Sequence, residues 1–247
     1  MILTSLWSVP EGAPSPALGC RVEFEIDGVR RELDAADVVE VRFENCGAVR
    51  KFPAWRGMRH YPGALWMVRL GRHVAFESLT ERACLLELDR SAEVVAVSSQ
   101  PMWIRWSDGP PHEHVPDYFA RLADGTGVVI DVRPAHRIDE AARCQFDATA
   151  VLCARQGWRY VVYAPEGTTR DANFRFLSRY RHQSWATDMA ESKLEGFSGS
   201  LREAASLMDD DGLGLSRCYA LIWAGVLRAD LDRPLSLRSR VDGGADA

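Results

Sequence analysis

The stretch from Gly125 to Pro165 constrains the fold more than any other part of the chain. Its apolar run Gly127-Val128-Val129-Ile130 closes on Asp131 and Val132. From Asp139 to Gln156, Ala142, Phe146, Ala150 and Cys153 recur at helical spacing, and the pattern stops at Gly157 before a second β-rich run, Trp158 to Pro165. Strand, crossover helix and strand in this order imply a parallel pair inside a sheet.

The flanks extend this α/β pattern. Residues 20–43 alternate apolar and charged positions around Gly28, as a strand pair does. His73 to Ser78 reads as a strand running into a helix. Ser78 and Glu81 have the spacing of a capping box, and Ala83 to Leu88 supply the apolar face. Four β-rich runs then follow (93–100, 101–107, 114–122 and 125–134), broken by Pro101, Asp108-Gly-Pro-Pro and Asp124-Gly-Thr-Gly. A mixed sheet is the expected consequence. Thr169 to Tyr180 reads as a further helix. Beyond residue 185 come two helical patterns, 201–209 and 217–230, and a short extended segment, 233–241. The expected organisation is an N-terminal β-rich extension (1–69), an α/β core (70–184), a small winged-helix-like module (185–240) and a disordered tail (241–247).

Composition narrows the function classes. The chain has 247 residues, 47% of them apolar, and no run long enough to span a bilayer. No basic n-region precedes an apolar stretch, so a cytoplasmic address and no membrane partner are expected. The six cysteines contain no C-x-x-C pair and are read as inert thiols. The net charge of −5 makes the distribution of cations matter more than their sum. Two places concentrate them. Arg50, Lys51, Arg56 and Arg59 interleave with Phe52, Trp55 and Tyr61, while Arg170, Arg175 and Arg179 sit on the 169–180 helix. Both are candidate DNA contacts, although a solvated face is the commoner meaning of such a run.

Phosphodiester hydrolysis needs an activated water and neutralisation of the charge that builds on phosphorus, which carboxylates holding Mg²⁺ or Mn²⁺ supply. Asp117 follows Pro116 at the head of one β run, and Asp131 ends the next. Alternation puts Asp131 and Arg133 on one face, and an antiparallel neighbour lets Asp117 lie beside Asp131. Glu77 stands at the mouth of the helix that follows Ser78. Taken singly, each has an ordinary reading: a turn aspartate for Asp117, a strand-end salt bridge for Asp131 and Arg133, a first-turn acid for Glu77. The spacing of Asp117 to Asp131 favours a joint one. His112 and His114 lack a third metal ligand at matching spacing and read as an exposed loop.

The strings Val-Pro-Asp117-Tyr-Phe-Ala and Val-Val-Ile-Asp131-Val-Arg133-Pro resemble the PD-(D/E)xK nuclease signature. Together with Phe-Glu77-Ser-Leu-Thr-Glu-Arg-Ala-Cys-Leu-Leu-Glu-Leu-Asp and Val-Val-Ala-Val-Ser-Ser-Gln-Pro, they resemble the TnsA family, the endonuclease subunit of heteromeric transposases, over about residues 70–165. The C-terminal helices with Ala-Asp-Leu-Asp-Arg-Pro-Leu resemble that family's second domain. The resemblance implies a restriction-endonuclease-like mixed sheet flanked by helices. It implies catalytic positions at Glu77, Asp117, Asp131 and Arg133, and Mg²⁺ or Mn²⁺ held by the three carboxylates. It also implies double-stranded DNA as substrate, with a DDE-type transposase subunit and an ATP-binding regulator as partners. Arg133 departs from the motif's lysine: a guanidinium is planar and keeps its proton at any accessible pH, so it stabilises a phosphate but does not serve as a base. Two alternatives follow: a catalytically impaired DNA-binding or assembly protein, or a nuclease of restriction or defence.

Overall fold

The computed structural model describes residues 6–8, 19–50, 61–107, 111, 113–165, 169–182 and 193–244. It is a mixed α/β protein that divides into two compact units, Met1–Pro165 and Glu166–Ala247.

Two four-stranded sheets and two helices build the first unit. One sheet has the order β10-β9-β8-β5, from Arg159–Tyr163, Gly127–Val132, Tyr118–Leu122 and Val94–Ser99. The pairing of β10 with β9 is parallel and the other two are antiparallel, so the expected mixed sheet and crossover are present. The crossover helix α2, Glu140–Arg155, begins where the Asp139 side chain accepts the Ala142 N–H. Helix α1, Leu79–Arg90, starts where the Ser78 side chain accepts the Glu81 N–H; the Glu81 carboxylate reaches back past the cap residue's own N–H to accept that of Glu77, so the expected box is half made. Ahead of α1, β3 (Gly63–Met67) and β4 (Arg72–Phe76) form an antiparallel hairpin.

The second sheet has the order β2-β1-β6-β7, from Val29–Asp34, Cys20–Ile26, Met102–Trp106 and Glu113–His114. Asp27 and Gly28, at φ of 52° and 74°, make the tight turn between β1 and β2. This hairpin had been expected in a separate extension. Instead β1 pairs with β6, and Val22, Phe24, Met102 and Ile104 share one core with Phe119, Val129, Phe146 and Tyr160. Phe43 joins the layers. It is fully buried, and its ring lies 5.5 Å from Phe24, 5.7 Å from Phe119 and 5.5 Å from Trp158. Beneath it, buried Glu44 accepts hydrogen bonds from Arg121 Nη2 at 2.9 Å and Nε at 3.2 Å.

The second unit holds α3 (Thr169–Leu177), α4 (Leu201–Leu207), α5 (Gly214–Ala224) and a three-stranded antiparallel sheet of order β11-β13-β12, from Ser198–Ser200, Arg240–Gly243 and Leu227–Ala229. The boundary near 184 expected from sequence thus falls at 165, because α3 belongs here: Asn173 Nδ2 donates to the carbonyls of Leu231 and Arg233 at 2.8 and 2.7 Å. Residues 241–243, expected to be disordered, instead form β13, where Val241 is fully buried between two strands. Residues 227–229, expected to be helical, form β12, because Gly225 takes φ of 85° and ends α5.

Phe43→Ala removes a ring packed between both sheets and α2's strand partners. It is expected to cost about 3–5 kcal/mol, read as a lower urea midpoint with unchanged slope. A midpoint equal to wild type would show that the two sheets are not held together through this ring.

Candidate functional site

Strand register assembles the site. Tyr118 pairs with Ile130 and Phe119 with Val129, so one step further along the ladder Asp117 faces Asp131. Tyr160 pairs with Val129, which places Tyr160 on the same sheet face as Asp131. That face also carries Phe119, Val129 and Val162 and packs against Ala142, Phe146 and Ala150 of α2. The two aspartates therefore sit where an apolar sheet face opens into a cavity of about 410 Å³, lined among others by Arg50, Trp103, His114, Arg133 and Gln145.

Asp131 is 4% exposed and heavily partnered. His114 Nε2 lies 2.8 Å from its Oδ2 and 3.0 Å from its Oδ1. The Tyr160 hydroxyl also donates to Oδ2. A carboxylate only accepts, so His114 Nε2 carries the hydrogen, and Nδ1 accepts from Gln145 Nε2. Burial, then the Asp131 charge, pushes the Tyr160 hydroxyl well above its ordinary pKa, which keeps it a donor. Asp117 has a different environment. Its Oδ2 accepts the Val132 N–H at 2.7 Å, and its Oδ1 accepts nothing among the described residues. Burial first, then the Asp131 and Glu81 carboxylates, drives the Asp117 carboxyl well above the usual range, against Val132 N–H and Arg50, which lower it.

Glu77 stands apart from this pair. It does not line the cavity, and its Oε2 accepts from Arg50 Nη2 at 2.9 Å. The α1 carboxylate whose field reaches Asp117 is Glu81, held by the Ser78 hydroxyl at 2.8 Å and the Glu77 N–H at 2.7 Å. Burial raises the Glu81 carboxyl as well. Arg50 links the two neighbourhoods: it lines the cavity, and its Nε donates to Gln100 Oε1 at 2.9 Å. Gln100 takes φ of 47° and donates its N–H to the Asp117 carbonyl at 2.9 Å. Its buried Nε2 has no partner among the described residues. Arg133 lines the cavity, with Nε donating to the Arg137 carbonyl at 2.9 Å.

The structure thus brings together Asp117, Asp131, Arg133 and Arg50, and turns Glu77 to Arg50. Lys51, Arg56 and Arg59 lie outside the described residues. Arg175 and Arg179 are exposed, and both belong to the second unit. Tyr160 and Gln145, which complete the site, carry no signal in the sequence, and His114 reads there only as part of an exposed loop. In the fold, β7 pairs His114 with Ile104 and leaves its side chain 9% exposed. The usable signal was its position three residues before Asp117 in a β-rich run.

Among the described residues no group of three or more His, Cys, Asp or Glu is arranged to hold a metal ion. The two aspartates that strand register sets side by side, Asp117 and Asp131, are the carboxylates this site offers a cation. No protein-family model matches the chain, and no curated protein matches it significantly.

The raised Asp117 carboxyl has a signed consequence. Its protonated form is favoured in the folded state, so its contribution to stability is complete below the ordinary carboxylate pKa of about 4 and is lost as pH rises through the higher folded value. Asp117→Asn keeps an oxygen for the Val132 N–H and removes the charge. Its thermal midpoint should exceed wild type at neutral pH, and the two should converge toward about pH 4. Equal midpoints at neutral pH would show that the carboxylate is not strained.

Proposed function

We propose that this protein is a Mg²⁺- or Mn²⁺-dependent DNA endonuclease subunit of the TnsA-like kind, with a restriction-endonuclease-like core, that hydrolyses phosphodiester bonds at the ends of a mobile element. The observation that supports it most is Asp117 against Asp131 at the mouth of a cavity that also holds two arginines. Burial raises the Asp117 carboxyl first, and the facing Asp131 carboxylate raises it further by repulsion. A divalent cation relieves it. Magnesium suits the donor set, because it keeps several waters and commonly takes one or two carboxylates plus substrate phosphates in place of a full protein cage.

Asp117, through its open Oδ1, and Asp131 would hold the cation, which supplies an activated water and neutralises charge on the phosphate. The chain's own residues do the rest. The Val132 N–H fixes the Asp117 carboxylate, and Tyr160 fixes Asp131 from the sheet side. Arg133 gives the rim a permanent positive charge for the scissile phosphate. Arg50, held by Gln100 and Glu77, adds a second. Arg175 and Arg179, without ion-pair partners among the described residues, suit DNA phosphates. Partners of the TnsA kind, a DDE-type transposase and an ATP-binding regulator, would position the cut, with the C-terminal unit as a winged-helix-like docking module. One observation favours a second reading, a DNA-binding or assembly subunit with impaired cleavage: the motif lysine is replaced by Arg133, which cannot release a proton.

Calorimetric titration with Mn²⁺ tests the first reading without any partner. Saturable binding is expected for wild type and should weaken at least roughly tenfold in Asp117→Ala and in Asp131→Ala, the loss of a charged ligand interaction. No binding by wild type, even with DNA present, would sink the catalytic reading. The DNA contacts have their own check: Arg175→Ala and Arg179→Ala should each weaken binding evenly across sequences and lower the salt-dependence slope by about 1. An unchanged slope removes them from the DNA surface.

A further inference from the structure

We propose that His114 is the gate of the cation site: its imidazole occupies the seat on the Asp131 carboxylate that a metal ion would take, and the ion enters by displacing it. The inference rests on the metal-binding reading above and adds how that site opens.

The geometry of one contact carries it. At 2.8 and 3.0 Å from the two oxygens, a single Nε2–H straddles the carboxylate, the position of a cation bound by both oxygens. Because Nε2 carries the hydrogen, it has no lone pair to offer a metal, so the ring in this arrangement competes with a cation and does not ligate one. Both Asp131 oxygens are taken in this arrangement: Oδ2 accepts from His114 and Tyr160, and Oδ1 from His114.

The two donors to Asp131 differ in how firmly they are built in. Tyr160 lies on β10, 4% exposed inside the main core, and has no room to leave. His114 lies on β7, two residues long, which pairs with β6 alone among the described residues and ends its sheet. A strand that short yields with little loss of ladder bonding. Its ring already lines the cavity, which gives it space to turn into, and Gln145 of α2 is the prop behind it. Displacing the ring frees Oδ1 completely while Tyr160 keeps Oδ2 oriented, which leaves Asp131 open toward Asp117.

Mn²⁺ calorimetry on wild type, His114→Ala and Gln145→Ala tests the gate, with Mg²⁺ titration followed by nitrogen NMR of the wild-type imidazoles as a second readout. Without the competing hydrogen bond to a charged group, His114→Ala should bind Mn²⁺ about tenfold more tightly, and Gln145→Ala should bind more tightly by a smaller factor. In wild type, the His114 Nε2–H signal should lose its carboxylate-bonded shift as Mg²⁺ saturates. Weaker binding by His114→Ala would overturn the gate and make the histidine a ligand. Equal binding, or an NMR signal unmoved at saturation, would also overturn it while leaving the metal reading intact. Absence of binding in wild type and both variants would remove the metal reading and the gate together. If His114→Ala does not fold, Gln145→Ala and the wild-type NMR decide the matter.

Discussion

The antiparallel register of β8 on β9 is the constraint on which the rest of the site depends. With Tyr118 opposite Ile130, Asp117 comes to face Asp131, and both point to the side covered by α2 and the second sheet. A slip of one residue would turn every side chain of one strand to the other face, separating the aspartates and burying the wrong apolar set. The register is enforced by what lies further along the strands. Phe119 and Val129 are anchored against Phe43 and Trp158, and Tyr118, Ala120, Val128 and Ile130 are fully buried on the opposite face. The acidic pair is thus placed by apolar packing that has no chemistry of its own.

Placing charge at the end of such a face is unfavourable unless partners meet it. The protein meets it unequally. Asp131 receives two side-chain donors, while Asp117 receives one backbone N–H and retains an open oxygen and a raised carboxyl. Next to them Gln100 adopts a left-handed backbone and buries an unpartnered amide nitrogen, local costs carried by the surrounding sheet. Departures from ideal structure therefore collect around this corner, as they do where a fold is arranged for something besides its own stability.

Much of the secondary structure was legible in the sequence because short-range chemistry dictates it. The Ser78 cap of α1, the Asp139 cap of α2 and the 142–146–150–153 stripe each involve a single helix and its cap, and β9-α2-β10 follows from that periodicity. The pair Asp117 and Asp131 was legible for a related reason: strand alternation converts spacing into facing. Legibility failed where an element's partner is distant in the chain. Nothing near β1 shows that it will pair with β6, eighty residues on, and nothing near α3 shows that Asn173 will hold the 231–233 turn. His114, Gln145 and Tyr160 come from three separate elements, so no local pattern unites them. Glu77 and Glu81 are both mouth-of-helix acids by sequence, and the folded chain separates them: Glu77 takes the Arg50 guanidinium, while Glu81 is buried against the Ser78 hydroxyl and the Glu77 N–H.

What the sequence by itself determined is what depends on nearest neighbours: the mixed α/β character, the helix starts, the parallel crossover, and an acidic pair on adjacent strands. Tertiary structure decided the unit boundary at residue 165, the merging of the N-terminal hairpin into the main core, and the identity of the groups around Asp131. The division has a physical reason. Caps and periodicity act over three or four residues of backbone geometry, whereas the partner of a buried carboxylate is chosen by whichever donors the closing of the core happens to deliver, and that closing is a property of the whole unit.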